Sequence, residues 1–387
     1  MRMLGDLALQ TYWLAMQAAR PLLPLFIARR ERAGKEDGLR HQERLGHTDA
    51  ERPEGPLAWV HAASVQKFLD HWQPSLAIFA ESEIWPMTIK ALSARSIPSA
   101  IVNGRMSDRS FRRWRKFKSA TPSLFGRIDQ VLVRGEEDLL RFQELGAAKI
   151  AITGNLKYDS PAAKIDPEQL SKLQRDIGQR PVFLATSTHR GEDEIVLQAH
   201  AILQKAHPNL LTCIIPRHPR RGENVAELAS QEGRKTELRT VSGNPSPSCE
   251  IYVADTLGEL GLFYSIAPVA LIGGSLLPVG GHNPIEAAQQ GCAVLSGPQV
   301  FNFREVFGVL EGADGCLIVN DAAQIAAAVT RCLADPLYAK SMAANATKSL
   351  DNVGGAVARS LAALEPTLAR ALSQSAELVK HPCNTAA

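Results

Sequence analysis

Short apolar runs alternate with amphipathic stretches along most of this chain. The runs at 57–65, 76–80, 98–103 and 130–133 predict one set of buried strands. Past a break at Gly154-Asn155, runs at 181–186, 210–215, 250–253, 268–273, 292–296 and 315–319 predict a second set. Helical stretches separate most of them, which is the signature of parallel sheets in doubly wound α/β domains. The segment GNLKYDSPAAKIDPEQ (154–169), rich in Gly, Pro and Asp, reads as a linker. The expected organisation is an amino-terminal helix with a basic flank (1–45), a first Rossmann-like domain (46–155), a linker (156–170), a second Rossmann-like domain (171–374) and a frayed tail (375–387). Two such domains in series suggest a ligand held in a cleft between them.

Size and composition narrow the classes. A chain of 387 residues is too long for one core, and 45% apolar residues give ample material for two. A net charge of +3 is too small to imply a nucleic-acid partner by itself, so basic sites must come from local clustering. Cys213, Cys249, Cys292, Cys316, Cys332 and Cys383 form no Cys-x-x-Cys pair, which argues for reduced thiols rather than a disulfide framework or zinc site. Residues 7–28, LALQTYWLAMQAARPLLPLFIA, are apolar but broken by Gln10, Gln17, Arg20, Pro21 and Pro24. With Arg29, Arg30, Arg32 and Lys35 following, they read as a helix lying in a membrane interface; a spanning helix and a domain-packing helix are the alternatives.

Three clusters carry candidate chemistry. In ALIGGSLLPVGGHNPIEAAQQGCAVLSGP (270–298), a strand ends at Gly273-Gly274-Ser275, and Gly280-Gly281 and His282-Asn283-Pro284 lead into a helix bearing Glu286. Glycines let backbone N–H groups approach an anion at a helix start, so this predicts a phosphate cradle with Glu286 placed for ribose hydroxyls; tight turns are the alternative. IIPRHPRRGE puts Arg217, His218, Arg220 and Arg221 at a strand end, as a cationic wall for an anion or as an exposed basic turn. LATSTHRGEDE (184–194) puts Ser187, Thr188 and His189 before a helix, for anion contact or simple capping. No Asp-x-Asp occurs, so no metal or other cofactor is expected. Segment 105–118, RMSDRSFRRWRKFK, interleaves seven basic residues with Phe111, Trp114 and Phe117 and suits lipid phosphates and the acyl boundary; a solvated basic helix and RNA binding are the alternatives.

The blocks AESEIWP (80–86), NGRMSDRS (103–110), RGEEDLLRFQELGA (134–147), TGNLKYD (153–159), STHRGEDE (187–194), PRHPRR (216–221), DTLGELGLFYSIAPVALIGGSLLPVGGHNPIEAA (255–288) and GPQVFNF (297–303) resemble the 3-deoxy-D-manno-octulosonic acid (Kdo) transferases of lipopolysaccharide synthesis. The resemblance implies the GT-B glycosyltransferase architecture, two Rossmann-like doubly wound domains facing a cleft. It implies CMP-Kdo as donor, the lipid A precursor as acceptor, an anionic membrane surface as partner, no nucleic acid, and residence on the cytoplasmic face of the bacterial inner membrane. It also assigns CMP-Kdo to the carboxyl-terminal domain. There Gly273, Gly274, Gly281, Glu286, Arg217 and His218 are the expected contacts, with Ser187, Thr188, Ser275, His282, Asn283 and Asn302 as further polar candidates.

One departure stands out. In the family the strand resembling WVHAASV is followed by Gly-Glu, whose Glu is the general base, whereas this chain continues as Val65-Gln66-Lys67. The gap amounts to on the order of two βα units, roughly 30 residues each, and shortens the first domain. Glu81, Glu83 and His61 are the expected substitutes for the base. The alternative is a catalytically impaired member that binds CMP-Kdo or lipid without turnover.

Overall fold

The computed structural model describes residues 10–11, 58–59 and 65–380. His61 and, apart from residues 10–11, the amino-terminal helix and its basic flank lie outside the described residues. The described residues form two compact units, one reaching up to Asp159 and resuming at Gly354, the other running from Ser160 to Val353.

The first unit is a five-stranded parallel sheet of β1 (Ala58–Trp59), β2 (Leu76–Ala80), β3 (Ser99–Gly104), β4 (Gln130–Val133) and β5 (Ile150–Ile152), in that spatial order. Helices α1 (Val65–Trp72), α2 (Pro86–Ala94), α3 (Asp108–Arg115), α4 (Thr121–Phe125) and α5 (Glu136–Glu144) make the crossovers. Strand order never reverses, so right-handed crossovers bring the helices to one face of the sheet. Alternate strand residues confirm it. Ala77, Phe79, Ile101, Val131 and Val133 share a core with Leu69, Ile89, Leu92, Phe125 and Phe142 of those helices. On the opposite face Ala100, Val102, Leu132 and Ala151 meet Ala363, Leu364 and Leu368.

Those last three residues belong to the carboxyl-terminal helix (Ala356–Lys380). This corrects the expected boundary at residue 374: the chain returns after Val353 and covers a sheet face that a parallel sheet cannot leave in water. Asp159 caps the returning helix, accepting from the backbone N–H of Gly355 at 2.6 Å and Val357 at 2.5 Å. Gln130 then pins it, donating to the carbonyl of Ala363 at 2.6 Å and accepting from Thr367 Oγ1 at 2.9 Å. Val65, expected to end a strand, is the first residue of α1, and Val65, Phe68 and Leu69 turn its apolar face to the core.

The second unit opens with α6 (Pro167–Ile177), which begins inside the expected linker. Asp166 caps it by accepting from Glu168 N–H at 2.9 Å, and Pro167 takes the first helical position, where its missing N–H costs nothing. The sheet holds β6 (Val182–Thr188), β7 (Leu211–Pro216), β8 (Thr236–Leu238), β9 (Ile251–Val253), β10 (Val269–Ile272), β11 (Ala293–Ser296) and β12 (Cys316–Ile318), with α7 (Glu192–Ala206) crossing from β6 to β7. All pairings are parallel in the order β12-β11-β10-β6-β7-β9-β8. From β6 the chain runs to β7, on to β8 at the edge and back to β9 between them, then restarts with β10 on the other side of β6, so the order reverses between β6 and β10. That is the doubly wound pattern, and its switch point is the place where such sheets bind ligands.

His200 of α7 is fully buried in this second core. Its Nδ1 meets Thr212 Oγ1 at 2.8 Å, and its Nε2 is buried without a partner among the described residues. Burial, reinforced by Arg234, pushes its pKa down to about 4. The fold therefore holds the neutral imidazole. Its contribution to stability is complete above the unfolded pKa near 6.5 and is lost as pH falls toward about 4. Urea unfolding followed from about pH 7 to pH 4.5 is expected to show a loss on the order of 2 kcal/mol from this group, and His200→Gln to flatten that slope. Equal slopes in the two proteins would contradict the assignment.

Candidate functional site

The strand ends at the switch point are brought unusually close. Gly273, immediately after β10, lies against β6, and a Cβ there would sit 2.7 Å from the carbonyl oxygens of both Thr186 and Ser187. Ser187 takes a left-handed backbone (φ 55°) where the β6–β7 register shifts between Thr186 and Thr188. A non-glycine residue held in that region stores strain that the surroundings must offset, a feature that clusters at functional sites. Gly297 after β11 is equally constrained, since a Cβ would collide with the Ser275 carbonyl oxygen.

One side chain ties these loops together. Glu192, the first residue of α7 and fully buried, accepts four backbone N–H groups: His189 at 2.9 Å, Gly274 at 2.7 Å, Ser275 at 2.9 Å and Leu276 at 3.0 Å. The Gly274 and Ser275 amides expected to cradle a phosphate are therefore already satisfied from within. A buried carboxylate is tolerable only when so paired, and buried amides must find acceptors.

Several other candidates prove internal. Ser275 Oγ donates to Ile272 O at 2.5 Å and accepts from Gly297 N–H at 2.7 Å. Thr188 Oγ1 donates to Asp193 at 2.7 Å, and Arg221 bridges Asp193 and, at 3.0 Å, the Thr188 carbonyl. Burial pushes the Asp193 carboxyl pKa up, opposed by the hydrogen bonds from Thr188 and Arg221. Gly281 N–H donates to Gly274 O at 2.6 Å, and Asn302 Nδ2 donates to Val279 O at 3.2 Å, so both shape the loop that carries His282. Asn283 Oδ1 accepts Ile285 N–H at 3.2 Å, at the start of the five-residue helix Ile285–Gln289.

Arg217 and His218, just after β7, are exposed, and Glu286, in the helix Ile285–Gln289, is half-buried. The Arg217 guanidinium and the Glu286 carboxylate make no hydrogen bond or ion pair with the described residues. His189 and His282 meet Nε2 to Nε2 at 2.9 Å, and the His218 ring stands 6.3 Å from that of His189. Burial, joined by His189, Arg217 and His218, pushes the His282 pKa down to about 4. Burial likewise lowers that of His189, with Glu192 opposing and Arg221, His218 and Arg217 adding to the depression. The switch point thus gathers the Arg217 guanidinium and three histidine rings at one place.

In the first unit, Glu81 and Glu83 follow β2. Glu81 has a left-handed backbone (φ 55°) and pairs with Lys157 at 3.0 Å, and Glu83 accepts from Trp85 Nε1 at 2.9 Å. Asn103, also left-handed (φ 53°), accepts Leu156 N–H at 3.1 Å and so draws the Lys157 segment toward the strand ends. Sequence reasoning gave no role to Glu192, Asp193 or Lys157. The first two carried a usable signal, an acidic pair in the first turn of a helix. Among the described residues no group of three or more His, Cys, Asp or Glu is arranged to hold a metal ion.

The family model described as 3-deoxy-D-manno-octulosonic-acid transferase (kdotransferase) matches residues 65–160. A 3-deoxy-D-manno-octulosonic acid transferase of Haemophilus influenzae is 36% identical over 314 residues, covering 79% of this chain and 73% of the relative. One from Bordetella pertussis is 31% identical over 369 residues, covering 91% and 85%. Among solved structures, S. aureus MnaA with UDP superposes with a TM-score of 0.50 at 15% identity over 80% of this chain and 79% of that one, a likeness of fold.

The four-fold acceptance by Glu192 has a measurable consequence. Glu192→Ala leaves four backbone donors without their acceptor and is expected to cost about 3–5 kcal/mol in urea unfolding, with Glu192→Gln losing roughly half as much. A loss below about 1 kcal/mol for the alanine variant would show that the loops hold without it.

Proposed function

The chain belongs to the Kdo transferases of lipopolysaccharide synthesis, and we propose that it uses CMP-Kdo as donor and the lipid A precursor as acceptor. It is a glycosyltransferase with the two-domain α/β fold of the GT-B class. The observation that carries the donor assignment is the gathering of Arg217, His218, His189 and His282 at the switch point of the second unit, with Glu286 on the helix that follows the same loop. Guanidinium and imidazole donors suit the phosphate of the nucleotide and the carboxylate of the sugar, and a carboxylate suits the two ribose hydroxyls. Charge that develops on the departing CMP is met by side chains already in place, which is how fixed donors lower a barrier.

The acceptor hydroxyl must lose a proton as the new glycosidic bond forms. Glu81 and Glu83 follow the carboxyl end of β2, the end of a parallel sheet where chemistry is placed, and we assign them the acceptor side. Lys157 holds Glu81, which favours a fixed carboxylate. The basic helix α3 and the residues after it, with Arg109, Arg112, Arg113 and Lys116, suit a membrane surface bearing anionic headgroups. No described helix is long and apolar enough to cross a membrane, and we assign the protein to the cytoplasmic face of the inner membrane as a peripheral enzyme.

Two outcomes are expected. CMP binds the purified chain, and Arg217→Ala or Glu286→Ala each weakens it by about 1–3 kcal/mol in calorimetry; no CMP binding by folded protein would overturn the donor assignment. With lipid A precursor and radiolabelled Kdo donor, turnover is at least ~10²-fold slower than in a chain given Gly-Glu and the missing segment after Val65. Equal turnover would show that the base is replaced, and Glu81→Gln against Glu83→Gln would identify the carboxylate.

A further inference from the structure

His189 and His282 come from opposite sides of the switch point, one following β6 and the other in the loop after β10. Their rings are parallel within 1°, with centres 5.1 Å apart and Nε2 atoms 2.9 Å apart, which is two imidazoles meeting edge to edge in a common plane. Such a bond needs one N–H and one lone pair, so the accepting ring is neutral and carries its proton on Nδ1. The donating ring is either neutral, with an open lone pair on Nδ1, or cationic, with Nδ1 protonated. The pair therefore holds zero or one added proton, and a second would break the bond.

The charged groups around the pair come from every neighbouring element. Glu192 is on α7, Arg217, His218 and Arg221 are on the segment after β7, and the Gly274 backbone lies beneath the His282 ring, where a Cβ would stand 2.8 Å away. With three cationic or ionisable basic groups and burial against one carboxylate, the surroundings favour the neutral pair. An anion placed against Arg217 and His218 reverses the local field. We propose that the His189–His282 pair is a charge-matching element of the donor site, which takes one proton from solvent onto the open Nδ1 when the phosphate of a cytidine nucleotide binds there. This rests on the donor assignment above. No covalent bond is made or broken: the buffer supplies the proton, and the nucleotide keeps its charge. Nucleotide affinity then rises as pH falls through the range between the free and bound protonation states, by at most tenfold per pH unit for one proton.

The test uses the full chain and the methyl ester of CMP, a phosphodiester that does not itself titrate near neutrality. Calorimetry at about pH 6, in two buffers of unlike ionisation enthalpy, is expected to give different binding enthalpies, corresponding to uptake of up to one proton per site. The uptake is expected to vanish in His189→Gln and in His282→Gln. Equal enthalpies in the two buffers for the unaltered protein would overturn the proposal without recourse to any variant. Uptake that persists in both variants would also overturn it, because the proton would then reside elsewhere. Absence of binding at every pH would overturn the donor assignment and this proposal with it, an outcome distinct from binding without uptake.

Discussion

The buried carboxylate of Glu192 is the constraint on which the second unit's site depends. It closes the gap between two loops that belong to different halves of a doubly wound sheet, satisfying amides of 189, 274, 275 and 276 at one point. A switch point leaves a crevice because neighbouring strands send their chains in opposite directions. Here the walls of that crevice are held by a charge inside the protein. The consequence is chemical as well as mechanical. Backbone amides that are consumed internally are not offered to a ligand, which is why the proposed donor site relies on Arg217, His218 and the histidine pair. Side-chain cations can be tuned by protonation, which fixed amides cannot.

A second constraint shapes the first unit. A parallel sheet wound in one direction has helices on one face only, and the other face must still be shielded from water. The carboxyl-terminal helix does this, capped by Asp159 and pinned through Gln130. The described order holds no reversal, and hence no switch-point crevice of its own among the described residues. What remains at its strand ends is Glu81 in a strained backbone with Lys157 beside it.

Most of the strands were legible because a strand buried on both faces is a continuous apolar run, as with Val131-Leu132-Val133 and Val269-Ala270-Leu271-Ile272. The two that escaped are short edge strands. Ile150–Ile152 has three residues, and Thr236–Leu238 has a Thr-Glu-Leu sequence with no apolar run to detect. The start of α6 was misread because Asp166-Pro167 serves equally as a turn and as a helix cap. The surroundings of the candidate residues turned on partners far away in sequence. Ser275 and Thr188 have hydroxyls spent on neighbours, and the acceptor for the glycine loop lies more than eighty residues upstream. Local spacing reports where a loop is, not what has already bound it.

The central claim is that the glycine loop is closed by Glu192 and that the donor's anion is held by side chains. Amide hydrogen exchange of Gly274, Ser275 and Leu276, with and without CMP, tests it most directly. These amides should exchange slowly in the free protein and change little when CMP binds, because their acceptor is already present. Rapid exchange in the free protein, with protection appearing only on addition of CMP, would show that the loop cradles the phosphate after all.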